Sequence, residues 1–148
     1  MEPLMRPNTL AEAVERICSG EPQDATLAEF IDSFLMAPDA RARYASIEAE
    51  PGLSGNARLD ALVGAIAEYL AKQYRLGAVP VRSAQSSRRL EEPWFTTTSA
   101  DPAMREYLSF ASPAEFRWRN IFTEERPLRR ARSHLPFVGK SSISSTPQ

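Results

Sequence analysis

The chain has 148 residues, with 18 Lys plus Arg against 19 Asp plus Glu, one His, one Cys and a formal charge of -1. At about 100–200 residues per domain this length fits one domain with its own core, and 43% hydrophobic with 25% charged residues excludes wholesale disorder. A lone Cys forms no internal disulfide, one His with one Cys makes no usual zinc site, and six glycines leave no Gly-rich phosphate loop.

Thr9-Leu10-Ala11-Glu12 has the capping-box arrangement, so a helix is expected to follow, with Leu10, Val14 and Ile17 on one stripe and a stop at Gly20. Thr26-Leu27-Ala28-Glu29 repeats the start signal. Behind it Leu27, Phe30, Ile31, Phe34 and Leu35 recur at helical spacing, and Pro38 ends the run. A shorter helix is expected from Asp39 to Glu48, closed by Pro51-Gly52. The most regular element runs from near Asn56 to Tyr74. Leu59, Leu62, Val63, Ile66, Leu70 and Tyr74 share one face, Ala61, Ala65 and Ala71 add propensity, and Gly77 supplies a left-handed stop. No strand pattern of comparable quality is present.

Residues 78–100 read as an extended connection, carrying Arg88-Arg89 and pinned to the body through Leu90, Trp94 and Phe95. Asp101-Pro102 opens a further helix, expected to bury Met104, Tyr107, Leu108 and Ala111. Ser112-Pro113-Ala114-Glu115 starts another, which breaks at Asn120, and Glu124 to Arg132 is expected to form a last short helix. The expected architecture is therefore mostly α, a compact helical bundle with an irregular, Pro-rich C-terminal third. It is read as one helical domain over residues 1–132: a bundle at 8–77, a connecting loop at 78–100, and C-terminal helices at 101–132. Residues 133–148 are read as a disordered tail.

Charge is uneven along the chain. Residues 1–113 carry 16 acidic and 11 basic side chains, and residues 114–148 carry 3 acidic and 7 basic ones. An acidic body with a basic C-terminal segment suits an acidic partner or nucleic acid, or else a solvated surface. The longest apolar stretch, Ala61 to Leu70, is interrupted by Gly64 and Glu68 and is too short to span a bilayer. With no basic and then apolar leader in the first residues, a cytoplasmic protein that meets no membrane is expected.

Candidate chemistry is sparse. Cys18 beside Ile17 reads as a structural thiol, and His134 as an idle group beyond the last helix. The adjacent pairs Glu91-Glu92 and Glu124-Glu125 read as solvated surface, so neither a catalytic constellation nor a cofactor or metal site is expected, and the chain is read as a non-enzyme. Ser112 to Phe122 stands out, because Phe116, Trp118, Ile121 and Phe122 are interleaved with Arg117, Arg119 and Asn120. Aromatic groups mixed with Arg suit protein interfaces, stacking on nucleic acid, or a short helix that buries its rings and leaves Arg in water.

Four segments carry a resemblance. They are Phe30-Ile31-Asp32-Ser33-Phe34-Leu35, Leu59-Asp60-Ala61-Leu62 leading to Ala67-Glu68-Tyr69-Leu70, Pro93-Trp94-Phe95, and the Ser-Pro-x-x-Phe-Arg-x-Arg-x-Ile-Phe run from Ser112 to Phe122. In this order, over roughly Leu10 to Ala131, the chain resembles a family of small bacterial proteins encoded beside nucleotidyltransferases of the toxin–antitoxin type. The last run is the most specific. Trp118 stands at a position expected to vary in that family, and the segment beyond Ala131 lies outside the resemblance.

The resemblance implies a protein-binding module, an antitoxin that sterically restrains the neighbouring nucleotidyltransferase. In that reading the segment from Trp94 to Arg132 covers the partner's cleft. Trp94, Phe95, Phe116, Arg117, Arg119, Asn120 and Phe122 make the contacts, with Arg117 and Arg119 on acidic carboxylates and Phe116 and Phe122 as anchors. Replacing both arginines is then expected to weaken the complex without unfolding the bundle. The alternative is a repressor of its own operon that holds nucleic acid through Arg126, Arg129, Arg130 and Arg132, with steep salt dependence.

Overall fold

The computed structural model describes residues 5–80, 85–97 and 101–128. The chain is mostly α-helical. Among the described residues, helices α1 (Leu10–Cys18), α2 (Gln23–Met36), α3 (Ala40–Glu48) and α4 (Ala57–Gln73) are followed by a 3₁₀ turn (Ser86–Arg88) and strand β1 (Trp94–Phe95). Then come α5 (Pro102–Ala111), α6 (Ala114–Arg117) and strand β2 (Ile121–Phe122).

Local chemistry sets most helix ends. Thr9 accepts from the Glu12 amide at 3.0 Å, while the Glu12 carboxylate turns back to the Asn8 amide at 2.9 Å. Asp39, Asn56 and Asp101 cap α3, α4 and α5 in the same way. At the end of α1, Gly20 takes φ +113° and the Glu21 amide returns to the Arg16 carbonyl. α4 ends with the same bonding, the Leu76 amide on the Ala71 carbonyl, with Arg75 left-handed at φ +52° and Gly77 following at φ +90°.

Two start signals act differently from expectation. α2 begins three residues before Thr26, because Pro22 supplies a preset extended cap and Asp24 favours the first turn; Thr26 is already inside the helix and buried. Ser112 does not cap α6. Its hydroxyl instead accepts from the Thr123 amide at 2.8 Å and lies within reach of the Leu108 and Thr123 carbonyls, so it fastens α5 to β2. The expected helix from Glu124 does not form through Leu128, where the chain bends and turns at Pro127.

α4 lies at the centre of the molecule. One face, with Leu59, Val63, Ile66 and Leu70, packs with Leu10 and Val14 of α1, Leu27, Phe30 and Phe34 of α2, and Ile47 of α3. Its other face is made of Ala61 and Ala65, and it receives Phe116 and Ile121 from the C-terminal segment, flanked by Leu62, Tyr69, Leu90, Trp94 and Leu128. These alanines were read from the sequence as helix-formers only. In the fold they are the shallow wall that lets α6 and β2 approach closely.

Arg43 secures the other end of the bundle. Its guanidinium donates to the Phe34 and Leu35 carbonyls at 3.2 and 3.0 Å and lies 4.9 Å from the Tyr74 ring centre, satisfying the C-terminus of α2 where Pro38 stops it. Arg88, 1% exposed, ties the connection to the body. It donates to the Asp60 carbonyl at 3.2 Å and to the Pro51 carbonyl, with Glu50 at 3.7 Å. The sequence showed only a basic dipeptide there.

The strands, absent from the sequence reading, form a parallel pair with Trp94 opposite Ile121 and Phe95 opposite Phe122. Asn120, at φ +66°, makes the turn into β2; its side chain donates to the Leu90 carbonyl at 2.8 Å and its own carbonyl accepts from Trp94 at 2.8 Å. Because Ala65 is the floor of this assembly, Ala65→Leu is expected to cost about 1–3 kcal/mol by overpacking. Urea unfolding measures it; an unchanged midpoint contradicts close packing there.

Candidate functional site

The Arg–aromatic motif is folded against the rest of the chain. Arg119 is 0% exposed and Phe116 1% exposed. Arg119 donates through Nη1 to Glu68 Oε1 and to the Glu115 carbonyl, both at 2.7 Å, and its guanidinium lies 4.5 Å from the Trp118 ring centre. Glu68 also accepts from Trp118 Nε1 at 3.2 Å and pairs with Lys72 at 2.7 Å. Burial pushes the Glu68 carboxyl up, but hydrogen bonds from Lys72, Arg119 and Trp118 outweigh it and hold the group below its ordinary 4.5. Its stabilising contribution is therefore in place above pH 4.5 and drains away as the pH falls through the lowered value.

Other Arg–aromatic pairs close within the chain as well. Arg58 lies over Trp94 at 5.0 Å, Arg89 over Trp118 at 5.6 Å, and Arg105 over Phe95 at 5.0 Å. Phe95 stacks on Phe122 with ring centres 4.9 Å apart and 20° between planes. The mixture that reads as an intermolecular interface is thus largely spent on joining the connection and the C-terminal segment to α4. Phe116 and Arg119, expected at a partner contact, are both buried within this fold. Asn120 is engaged in its own turn, Trp94, Phe95 and Phe122 are half-buried, and only Arg117 of the seven stands exposed, with one donor on the Ser112 carbonyl at 3.2 Å. Arg126 is exposed; Arg129, Arg130, Arg132 and His134 lie outside the described residues.

α5 presents the opposite picture. Leu108 alone on it is buried, whereas Phe110 is 80%, Tyr107 50% and Met104 39% exposed. These are three of the eight large apolar side chains exposed among the described residues, and they sit on one ten-residue helix. A single exposed apolar group is ordinary, but a contiguous set on a helix face marks an interaction surface. The sequence pattern was legible as amphipathic, yet periodicity states only that a face is apolar, not whether this chain covers it. Beside that face, between α5 and the end of β2, runs a groove of about 640 Å³ lined by Thr96, Thr97, Met104, Tyr107, Thr123 and Arg126 among others.

A second cavity, about 440 Å³, lies between α3, α4 and the 3₁₀ turn, with Ile47, Val63, Ala67 and Pro80 on its walls. The Arg88 group in its lining is spent on backbone carbonyls. Cys18 is exposed at the end of α1 and not buried as expected. Among the described residues, no group of three or more His, Cys, Asp or Glu side chains is arranged to hold a metal, and no helix is long and apolar enough to cross a membrane.

The geometry separates the two motif arginines. Arg119→Ala leaves Glu68 partly buried with Lys72 and the Trp118 ring N–H but without its shortest partner inside the fold, and is expected to cost about 2–4 kcal/mol, whereas Arg117→Ala stays within about 0.5 kcal/mol. Urea unfolding of each variant checks this, and equal midpoints contradict it. Comparison with protein-family models, with curated proteins and with solved structures returns no match to this chain.

Proposed function

We propose that this chain is a cytoplasmic protein-binding module that docks through α5 and the adjacent groove, and that its partner is a nucleotidyltransferase of the toxin–antitoxin type which it restrains by covering the active-site cleft. The observation that carries the docking reading is the outward apolar face of α5, formed by Met104, Tyr107 and Phe110. Leaving Phe110 80% exposed forgoes most of the roughly 1.5–3 kcal/mol that full burial of such a side chain supplies, and the half-covered Met104 and Tyr107 forgo less, a cost offset when a partner's groove receives them. Their spacing of three residues is the one by which a single helix fills a hydrophobic groove.

The nature of the partner comes from the resemblance carried by the Ser112–Phe122 run, in which the motif has a different part from the one expected. Arg119 and Phe116 hold α6 and β2 on α4, and Ser112 in turn fastens α5 to β2, so the motif presents the docking helix. Arg117, exposed at the end of α6, is the member of the motif placed to meet an acidic group on the partner.

Co-expression of the full chain with the product of the neighbouring gene tests the reading. Stoichiometric co-purification of a nucleotidyltransferase is expected for the native chain. Phe110→Asp is expected to abolish it with an unchanged melting temperature, because Phe110 makes no core contact. Retention of the enzyme by Phe110→Asp contradicts docking through α5. Specific binding of operator DNA with a steep salt dependence, and no protein partner, overturns the assignment in favour of a repressor.

A further inference from the structure

We infer that the groove between α2 and the C-terminal segment seats this chain's own tail, with Leu135-Pro136-Phe137-Val138 laid into it as an extended strap. This stands apart from the partner of α5 and needs no partner at all. The groove, about 400 Å³, has a buried floor of Leu27, Ile31 and Phe116, and Leu62, Trp94 and Leu128 stand half-covered on its walls. It follows α2 from Gln23 to Ile31, about 12 Å at 1.5 Å per residue.

The occupant follows from where the chain goes. Leu128 is itself part of the groove wall, and residues 129–148 continue from that point. The stretch from Arg129 to His134 reaches at most about 20 Å, enough to return Leu135 to any point along the groove. Leu135 to Val138 is the only apolar run in residues 129–148. Pro136 restricts its own backbone and that of Leu135 to extended conformations. That sets Leu135 and Phe137 on one side of the strap and leaves little freedom to lose on docking.

Charge selects the same face. Residues 129–148 carry Arg129, Arg130, Arg132 and Lys140 and no acidic side chain, whereas α2 carries Asp24, Glu29 and Asp32 and no basic one. Asp24 stands exposed on the rim of the groove and meets no cation among the described residues. Opposite charge steers the tail to α2, and the apolar run fills the groove. The arginines that a repressor would place on nucleic acid are then held on an acidic helix of their own chain.

Disulfide trapping in the full chain, in a Cys18→Ser background, reads the seat directly. Paired with Phe137→Cys, Ala28→Cys on the groove is expected to close an intrachain disulfide at least about tenfold faster than Glu29→Cys, which is turned about 100° further round α2. Methyl NMR supplies a second reading without any cysteine. Phe137→Asp is expected to shift the methyl resonances of Leu27, Ile31 and Leu62 and to leave those of Val14 and Ile47, on the far side of the bundle core, in place. Equal trapping at positions 28 and 29, or groove methyls indifferent to Phe137→Asp, overturns the inference. Interchain disulfides in place of intrachain ones give the groove to the tail of a second copy and overturn it as well.

Discussion

The ion pair between Arg119 and Glu68 decides how this molecule is assembled. A guanidinium with no exposed surface, fifty-one residues along the chain from its carboxylate, is tolerated in the interior because charged and carbonyl acceptors meet its Nη1 there. Glu68 and the Glu115 carbonyl accept from Nη1, Trp118 covers the cation, and Lys72 holds the other side of the carboxylate. Once that contact forms, Phe116 and Ile121 are set on the alanine face of α4, and β2 lies where β1 can pair with it. The position of α5 follows from the same placement through the hydroxyl of Ser112.

The helical body was legible because its information is local. Thr9, Asp39, Asn56 and Asp101 announce their helices, and the stripes through Phe30, Phe34, Val63 and Ile66 name the faces that meet. Tyr74 is an instructive exception on the α4 stripe: it ends up half in water because it serves as a ring for Arg43 and Phe34 at the helix end. The C-terminal third was legible only in its helix starts. Two-residue strands have no period to read, and a left-handed Asn120 carries no signal distinct from any other Asn.

Burial of charge was the least legible property. Arg88 and Arg119 look like solvent-facing residues by composition, and both are interior struts whose partners are backbone carbonyls or a single distant carboxylate. Conversely, α5 looks like a core helix by its apolar positions and exposes most of them. The two errors have one cause. A helical pattern gives the chemistry of a face, whereas what lies against it is settled by contacts between residues far apart in the chain. In the division of labour that results, arginines and aromatics fix the scaffold while an apolar helix faces outward.

A double-mutant cycle between Glu68 and Arg119, read by urea unfolding at neutral pH, tests this account most directly. If the pair anchors the C-terminal segment from within the structure, Glu68→Gln and Arg119→Met are each destabilising and their coupling is on the order of 2 kcal/mol. A coupling below about 0.5 kcal/mol, the value of an exposed ion pair, contradicts the claim that this contact holds the C-terminal segment in place.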